Sequence, residues 1–282
     1  MKRKSTRKVI ANMQKAVIGA VILVVTLFPI YWLAAMSVRP TEEMKDRISV
    51  IPQSLTAAHF LELFREKAFG RALGNSLEVS LISLVISLSC GLCAAYVLTR
   101  KRFSFAAKKP MNFWILLVRI LPPIAFTIPL YTMFNRLGIL STRLPAILAC
   151  VLINIPFIIW FMITFFRMVP AEVEESARID GASEWYLFRK VVLPLVAPGT
   201  AAVAMLSFLY AWNEYTYSVI FVQSAQNYTV PLALATLNSS DSLTNFGLVA
   251  AGGVMSAIPI LVFVLFAQNY LIEGLSSGAV KA

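Results

Sequence analysis

The sequence predicts an all-α membrane protein with six transmembrane helices, and two observations carry that reading. Its 282 residues are 59% hydrophobic and only 14% charged, with a mean hydropathy of +0.75. Soluble domains average about 45–50% apolar and about 25% charged. The apolar residues also gather into runs of about 20 or more, the length an α-helix needs to cross the hydrocarbon core. A net charge of +11 would suggest nucleic acid in a soluble chain. Here the basic residues sit at the ends of apolar runs, so they report topology and no nucleic-acid partner is expected. Cys90, Cys93 and Cys150 all fall inside apolar runs, and the C-x-x-C spacing of the first two lacks any accompanying ligand or redox context.

Taken in order, residues 1–16 carry six Lys/Arg and no acid, then lead into Val17–Met36, an apolar run of 20 residues. A secretory signal would have a shorter core and a small-x-small cleavage site, which Ala34-Ala35-Met36 matches poorly. The run therefore reads as a retained first span with its N-terminus in the cytoplasm. Residues 37–71 are polar and mixed in charge. Within them Ala58–Lys67 places Phe60, Leu63 and Phe64 on one helical face, as a short surface helix would. The lone histidine, His59, reads as structural.

The second span, Ala72–Thr99, carries Ser83, Ser87, Gly91 and Ala95 as a stripe of small residues that lets another helix approach closely. Five basic residues follow between Arg100 and Lys109. The third span, Met111–Phe134, contains Pro122, Pro123 and Pro129, each of which removes a helical hydrogen bond and kinks the helix. Arg119 lies about 12 Å in from Met111 at about 1.5 Å per residue, and an arginine at that depth marks a pathway or an interhelical bond unless it snorkels to the headgroups. The fourth span, Leu144–Phe166, has Asn154 and Pro156 at its centre. The fifth, Leu195–Phe221, carries Trp212-Asn213-Glu214-Tyr215 near its outer end. Residues 222–245 contain no Lys or Arg, as expected of an external loop. The sixth span, Phe246–Leu271, is rich in Gly, Ala and Ser, which predicts a tightly packed helix rather than a lipid-facing one. Both termini then lie inside, with 16 Lys/Arg on cytoplasmic segments against 8 on external ones. The expected organisation is 1–71 (N-terminus, first span, external loop), 72–272 (five-helix core with a cytoplasmic loop at 168–194) and 273–282 (cytoplasmic tail).

That loop holds the one long charged, patterned stretch between the apolar runs of the C-terminal half. Pro170 is a favoured helix start, and Glu172, Glu174 and Glu175 suit the first turn, where carboxylates complement the helix N-terminus. Glu174 and Arg178 form an i,i+4 pair in the favourable order. Val173, Ser176, Ala177 and Asp180 make a small, knobby face, Gly181 lets the chain turn out, and Ser183 can cap a second helix bearing Trp185 and Phe188. Physically this is a short rigid helix presented beneath the membrane, on which something docks.

Glu175-Ser176-Ala177-x3-Gly181-x9-Val191-x-Leu193-Pro194 resembles the EAA signature, E-A-A-x3-G-x9-I-x-L-P, of permease subunits of binding-protein-dependent ABC importers. Ser176 and Val191 are mild departures. The longer EESARIDGAS resembles the carbohydrate-uptake branch, as do NSLEVSL, RILPPIAFTIPLY, AWNEYTY and the tail QNYLIEGLSSGAVKA, with the maltose-type permease that bears an extended tail most alike. The likeness runs from about Ala72 to the C-terminus. It implies the type I importer permease fold, a bacterial or archaeal inner-membrane location, and a pathway formed with a second homologous permease subunit. It further implies two cytoplasmic ATPase subunits and an external solute-binding protein. The coupling residues it implies are Glu172, Glu174, Glu175, Ser176, Ala177, Arg178, Asp180, Gly181 and Ala182. Gly274, Ser277, Gly278 and Lys281 of the tail would reach the ATPases.

The chain has no G-x-x-x-x-G-K-[ST] phosphate loop, so it is expected to be no enzyme and to bind no cofactor, with ATP and magnesium used by the partner ATPases. Arg119, Tyr131, Asn154, Trp212, Asn213 and Glu214 are the candidate substrate-pathway residues, because aromatic rings and amides suit sugar faces and hydroxyls. A permease for a non-sugar solute such as a glycerol phosphate is the alternative. An ion-coupled secondary transporter would need carboxylates deep in the spans, yet Glu78 and Glu214 are expected near span ends. An intramembrane enzyme would need a nucleophile–base pair or metal ligands there, and no Asp or His lies within them.

Overall fold

Paired prolines break the third apolar run, while Pro29, Pro156 and Pro259 sit inside unbroken helices. In the computed structural model, which describes residues 2–46, 49–238 and 244–279, every regular element among the described residues is helical. In chain order these are α1 (Lys2–Ser37), α2 (Thr41–Asp46), α3 (Ala58–Arg65), α4 (Phe69–Thr99), α5 (Lys108–Ile120), α6 (Thr127–Arg136), α7 (Leu144–Met168), α8 (Ala171–Ile179), α9 (Glu184–Tyr186), α10 (Leu193–Leu195), α11 (Ala197–Trp212), α12 (Thr216–Phe221), α13 (Val230–Asn238) and α14 (Thr244–Ala279). Single-turn 3₁₀ pieces lie at Pro123–Phe126 and Ala225–Asn227, and a π-helical turn spans Leu187–Val192.

Four helices are long and apolar enough to cross a bilayer unbroken, and two bent pairs bring the number of candidate spans to six. The third span is no kinked helix. Its halves, Lys108–Ile120 and Pro123–Arg136, meet at 106°. Leu121 and Pro122 both precede a proline and are extended, at ψ 134° and 138°, since the following ring excludes the α region. The fifth span starts at Ala197 after an 82° bend and is interrupted between Trp212 and Thr216.

The chain divides into two compact units. One comprises Met1–Phe69 with Leu234–Ala257. Its polar segment is organised around Arg39, which is fully buried: the guanidinium donates to the Ser49 carbonyl at 2.6 Å, pairs with Glu43 at 3.4 Å and lies 5.8 Å from the Trp32 ring. His59 is buried on α3 beside Leu63, and its Nε2–H donates to the Arg39 carbonyl at 2.9 Å. The ring lies against α14 at Gly247, where a Cβ would come within 2.3 Å of Nε2. At Gly252 a Cβ would come within 2.4 Å of Leu234, so the small residues of α14 serve close packing as the sequence predicts. Further along α14, Ile258, Leu261, Val262, Leu265 and Phe266 are exposed, while Phe263 stacks on Phe208 at 4.4 Å.

The other unit comprises Gly70–Ala233 with Ile258–Ala282. Its largest apolar cluster joins Leu92, Ala95 and Tyr96 of α4 and Ile158, Met162 and Phe166 of α7 to Leu187, Phe188 and Val192 beyond α9. The α4 stripe of small residues does what it predicts: a Cβ on Gly91 would come within 2.6 Å of Ile158 Cγ2. The charged loop's second helix is thereby rooted in the apolar core, while α8 stands beside it.

Candidate functional site

Local chemistry sets both ends of α8. Pro170 is extended at ψ 141° and Glu172 and Glu174 occupy the first turn. At the far end Gly181 takes φ +86°. Its N–H donates to the Arg178 carbonyl at 3.0 Å, and the Ala182 N–H donates to the Ala177 carbonyl at 3.0 Å. That last bond is the six-to-one closure of a Schellman turn, which needs a left-handed residue at the position Gly181 fills. Ser183 Oγ then accepts from the Tyr186 N–H at 3.3 Å and caps the next helix.

The nine predicted coupling residues divide by face. Glu172, Glu175, Ser176, Asp180 and Gly181 are exposed, and Ala177, Arg178 and Ala182 are half-buried. Glu174 is only 3% exposed and points away from that surface. One of its carboxylate oxygens pairs with Arg100 Nη2 at 2.5 Å. The other accepts from the Tyr96 hydroxyl and from Arg178 Nη2, both at 3.2 Å. Arg178 also meets Glu184 at 3.0 Å, and Arg102 meets Glu184 at 2.9 Å. The hydrogen bond from Arg178 holds the Glu184 carboxyl below its ordinary value, and the same bond raises the Arg178 guanidinium. Both groups are thus charged whenever the surrounding solution is near neutral.

The outward surface is more apolar than the sequence implies. Ile179 is 87% exposed and Val173 36%, with Trp185 and Tyr186 also exposed nearby. Ile179 shares the stripe of Glu172, Glu175 and Ser176 by helical spacing, a signal present in the sequence but overlooked. A concavity of about 560 Å³ lies beside this stripe, lined by Ala177, Asp180, Gly181, Ser183, Tyr186 and Val191. Of the tail candidates, Gly274, Ser277 and Gly278 lie on α14 with side chains outside the described residues, and Lys281 lies outside them altogether.

The predicted pathway residues separate too. Arg119 and Asn154 line one cavity of about 350 Å³ at the break in the third span, with Pro123, Phe157, Leu206 and Tyr210. The guanidinium carbon of Arg119 lies 4.8 Å from the Phe157 ring and 4.7 Å from the Trp160 ring, stacking that lowers the cost of a cation there. Asn154 donates to the Ser207 carbonyl at 3.3 Å. The other four lie elsewhere. Trp212, 2% exposed, stacks on Phe208 at 5.8 Å. Asn213 donates back to the Leu209 carbonyl at 2.8 Å, and Tyr131 meets Gln223 at 3.4 Å. Glu214 caps α12, accepting from the Tyr217 N–H at 2.6 Å and the Ser218 N–H at 3.1 Å. Tyr210, which the sequence reading missed, lines the cavity in their place. Its one sequence signal is a tyrosine set deeper in the fifth apolar run than Tyr215 and Tyr217.

Comparison with known proteins gives the family and the fold. Residues 87–275 match the family described as the binding-protein-dependent transport system inner membrane component. The chain is 34% identical to the trehalose transport system permease protein SugB of Mycobacterium tuberculosis, over 94% of this chain and 96% of the relative. It is also 34% identical to the arabinooligosaccharides transport system permease protein AraQ of Halalkalibacterium halodurans, over 93% of this chain and 94% of that one. Among solved structures, a chain of a bacterial ABC transporter involved in the import of the acidic polysaccharide alginate superposes with a TM-score of 0.77, covering 93% of this chain and 96% of that chain at 22% identity. At that identity the likeness is one of fold.

Proposed function

The chain belongs to the family of binding-protein-dependent transport system inner membrane components, and from that premise we propose that it imports a sugar or oligosaccharide as one of two permease subunits driven by cytoplasmic ATPases. The observation that carries the reading is α8: a short helix started after Pro170 and closed by a turn at Gly181, rooted on its inner side, with Glu172, Glu175, Ser176, Ile179 and Asp180 turned outward. Such a face is built to be held by a partner. ATP-driven closure of the paired ATPases would draw this helix and its counterpart on the second permease together and reorient the spans, with both termini of this chain cytoplasmic. An external solute-binding protein would deliver the solute from the other side. The tail, through Gly274, Ser277, Gly278 and Lys281, would add a second contact with the ATPases, as its likeness to the maltose-type subunit implies.

Sugar as the cargo is supported by the trehalose and arabinooligosaccharide relatives and by the aromatic and amide lining of the cavity at Asn154, Phe157 and Tyr210. One observation favours a second reading. Arg119 lies on that cavity's wall with no carboxylate within 4.0 Å among the described residues, which suits an anionic solute such as a glycerol phosphate. Mass spectrometry of the small molecule retained by the cognate binding protein decides between the two. Reconstitution of the full assembly tests the drive itself. Uptake of that molecule into proteoliposomes should require ATP and the ATPase subunits, and uptake driven by an ion gradient without them would overturn the proposal.

A further inference from the structure

We propose that Glu174 is a positioning residue, a buried carboxylate joint that fastens the docking helix to the cytoplasmic ends of α4 and α7 and passes the movement of α8 into those spans. This rests on the reading of α8 as the ATPase-docking helix. Glu174 is the single buried residue of α8, so the helix has almost no apolar anchorage of its own. A carboxylate buried alone would be strongly unfavourable, and burial is tolerable only when the charge is paired and its oxygens are hydrogen-bonded.

The partners come from several elements. Tyr96 and Arg100 stand one turn apart at the end of α4, and both reach Glu174, at 3.2 Å and 2.5 Å. Arg100 also donates from Nη1 to the Phe166 carbonyl in the last turn of α7 at 2.8 Å. Arg178, one turn further along α8, closes the set at 3.2 Å and extends it to Glu184 of α9 at 3.0 Å. A single side chain therefore ties the docking helix directly to α4 and, through Arg100, to the end of α7. Arg100 pairs with one carboxylate oxygen as an ion pair while the Tyr96 hydroxyl bonds the other directionally, so the joint resists rotation of α8 against the bundle in a way a sliding apolar contact would not. Glutamine at this position would present an amide donor where only guanidinium and hydroxyl donors surround it. It would keep the volume and one acceptor oxygen but lose the charge that pairs with Arg100 and Arg178.

The test uses the complete assembly in proteoliposomes, with Cys90, Cys93 and Cys150 changed to alanine and Leu206→Cys on the cavity wall as the reporter. The rate of labelling by a charged methanethiosulfonate reagent is measured with and without ATP plus vanadate. The parent assembly should show at least a fivefold change on trapping. Glu174→Gln should keep its ATPase subunits at the parent stoichiometry yet respond less than twofold, and Tyr96→Phe, which removes one hydrogen bond and no charge, should fall between. A parental response in both variants overturns the joint, and so does loss of the ATPases from Glu174→Gln, which would make Glu174 part of the docking face itself. Ile179→Asp on the outward face separates the premise: if that variant keeps its ATPases, the docking reading has failed, not the joint alone.

Discussion

Replacing Ile179 with alanine should weaken ATPase binding far more than replacing any other apolar residue of α8. The side chain is 87% exposed, so nearly all of it is free to enter a partner groove. Truncation to alanine removes three carbons, each worth about 0.8 kcal/mol when buried. Scaled by that exposure, the loss is about 2 kcal/mol, or about 30-fold in Kd. Val173 sits on the same outward surface at 36% exposed, and Val173→Ala removes two carbons already partly covered. Its loss should be about 0.6 kcal/mol, roughly threefold. Purified ATPase titrated onto the permease pair in nanodiscs, followed by fluorescence anisotropy, measures both. The contrast between the two variants is the test, because a general loss of helix stability would lower them together. An Ile179→Ala complex within threefold of the parent, or a Val173→Ala complex equally weakened, would refute the assignment of this stripe as the contact surface.

Three further outcomes follow from the same geometry. Gly181 takes φ +86° with open space where a Cβ would stand, so Gly181→Ala should cost only the left-handed strain, about 1–2 kcal/mol, read as faster hydrogen exchange over 171–182 with the bundle unchanged. Gly91→Ala should cost about 1–3 kcal/mol by overpacking, because its Cβ would meet Ile158 Cγ2 at 2.6 Å; adding Ile158→Ala should recover part of that loss in thermal unfolding, and strict additivity would refute the contact. The third concerns pH. Glu184's folded value lies below its ordinary 4.5, chiefly through the Arg178 hydrogen bond, so its stabilising contribution is complete above 4.5 and fades as pH falls through the depressed value. Protection of α8 should therefore be level from neutral down to that range and then decline, and Glu184→Gln should lower the neutral plateau and flatten the part of the decline that Glu184 supplies.

How much of this was legible in the sequence depended on whether the deciding partner lay near in the chain. The spans were readable because lipid leaves a backbone few choices beyond a long apolar helix. Both ends of α8 were readable for the same local reason, Pro170 before it and Gly181 after it. Glu174 was not. A glutamate in a first turn reads as a complement to the helix dipole, and what turns it inward is Tyr96 and Arg100, more than 70 residues earlier in the chain. Among the intramembrane polar residues, Arg119, singled out by its depth, and Asn154, by its amide, share a cavity. Trp212 and Glu214 looked equally functional, but folding claims them, one for a ring stack and one for a cap. The prolines of the third span announced a break, while its 106° angle belongs to packing that no local rule encodes.

The π turn after α9 explains why α8 can be so polar. Leu187 and Val192 are five residues apart and both fully buried. An α-helix at about 100° per residue would set them about 140° apart, so one of the two would leave the core. The wider i→i+5 turn over Leu187–Val192 brings both inward with Phe188, whose ring lies 5.1 Å from Tyr96 and 6.4 Å from Phe166. The apolar anchorage of the loop is thus concentrated beyond α9, and Tyr96 touches both anchors, through its ring to Phe188 and through its hydroxyl to Glu174. That division of labour leaves the outer face of α8 free of any structural duty. Among the described residues, the side chains of Glu172, Glu175, Ser176 and Ile179 are exposed and satisfy no partner, which is the condition under which a surface can be shaped wholly by what binds it.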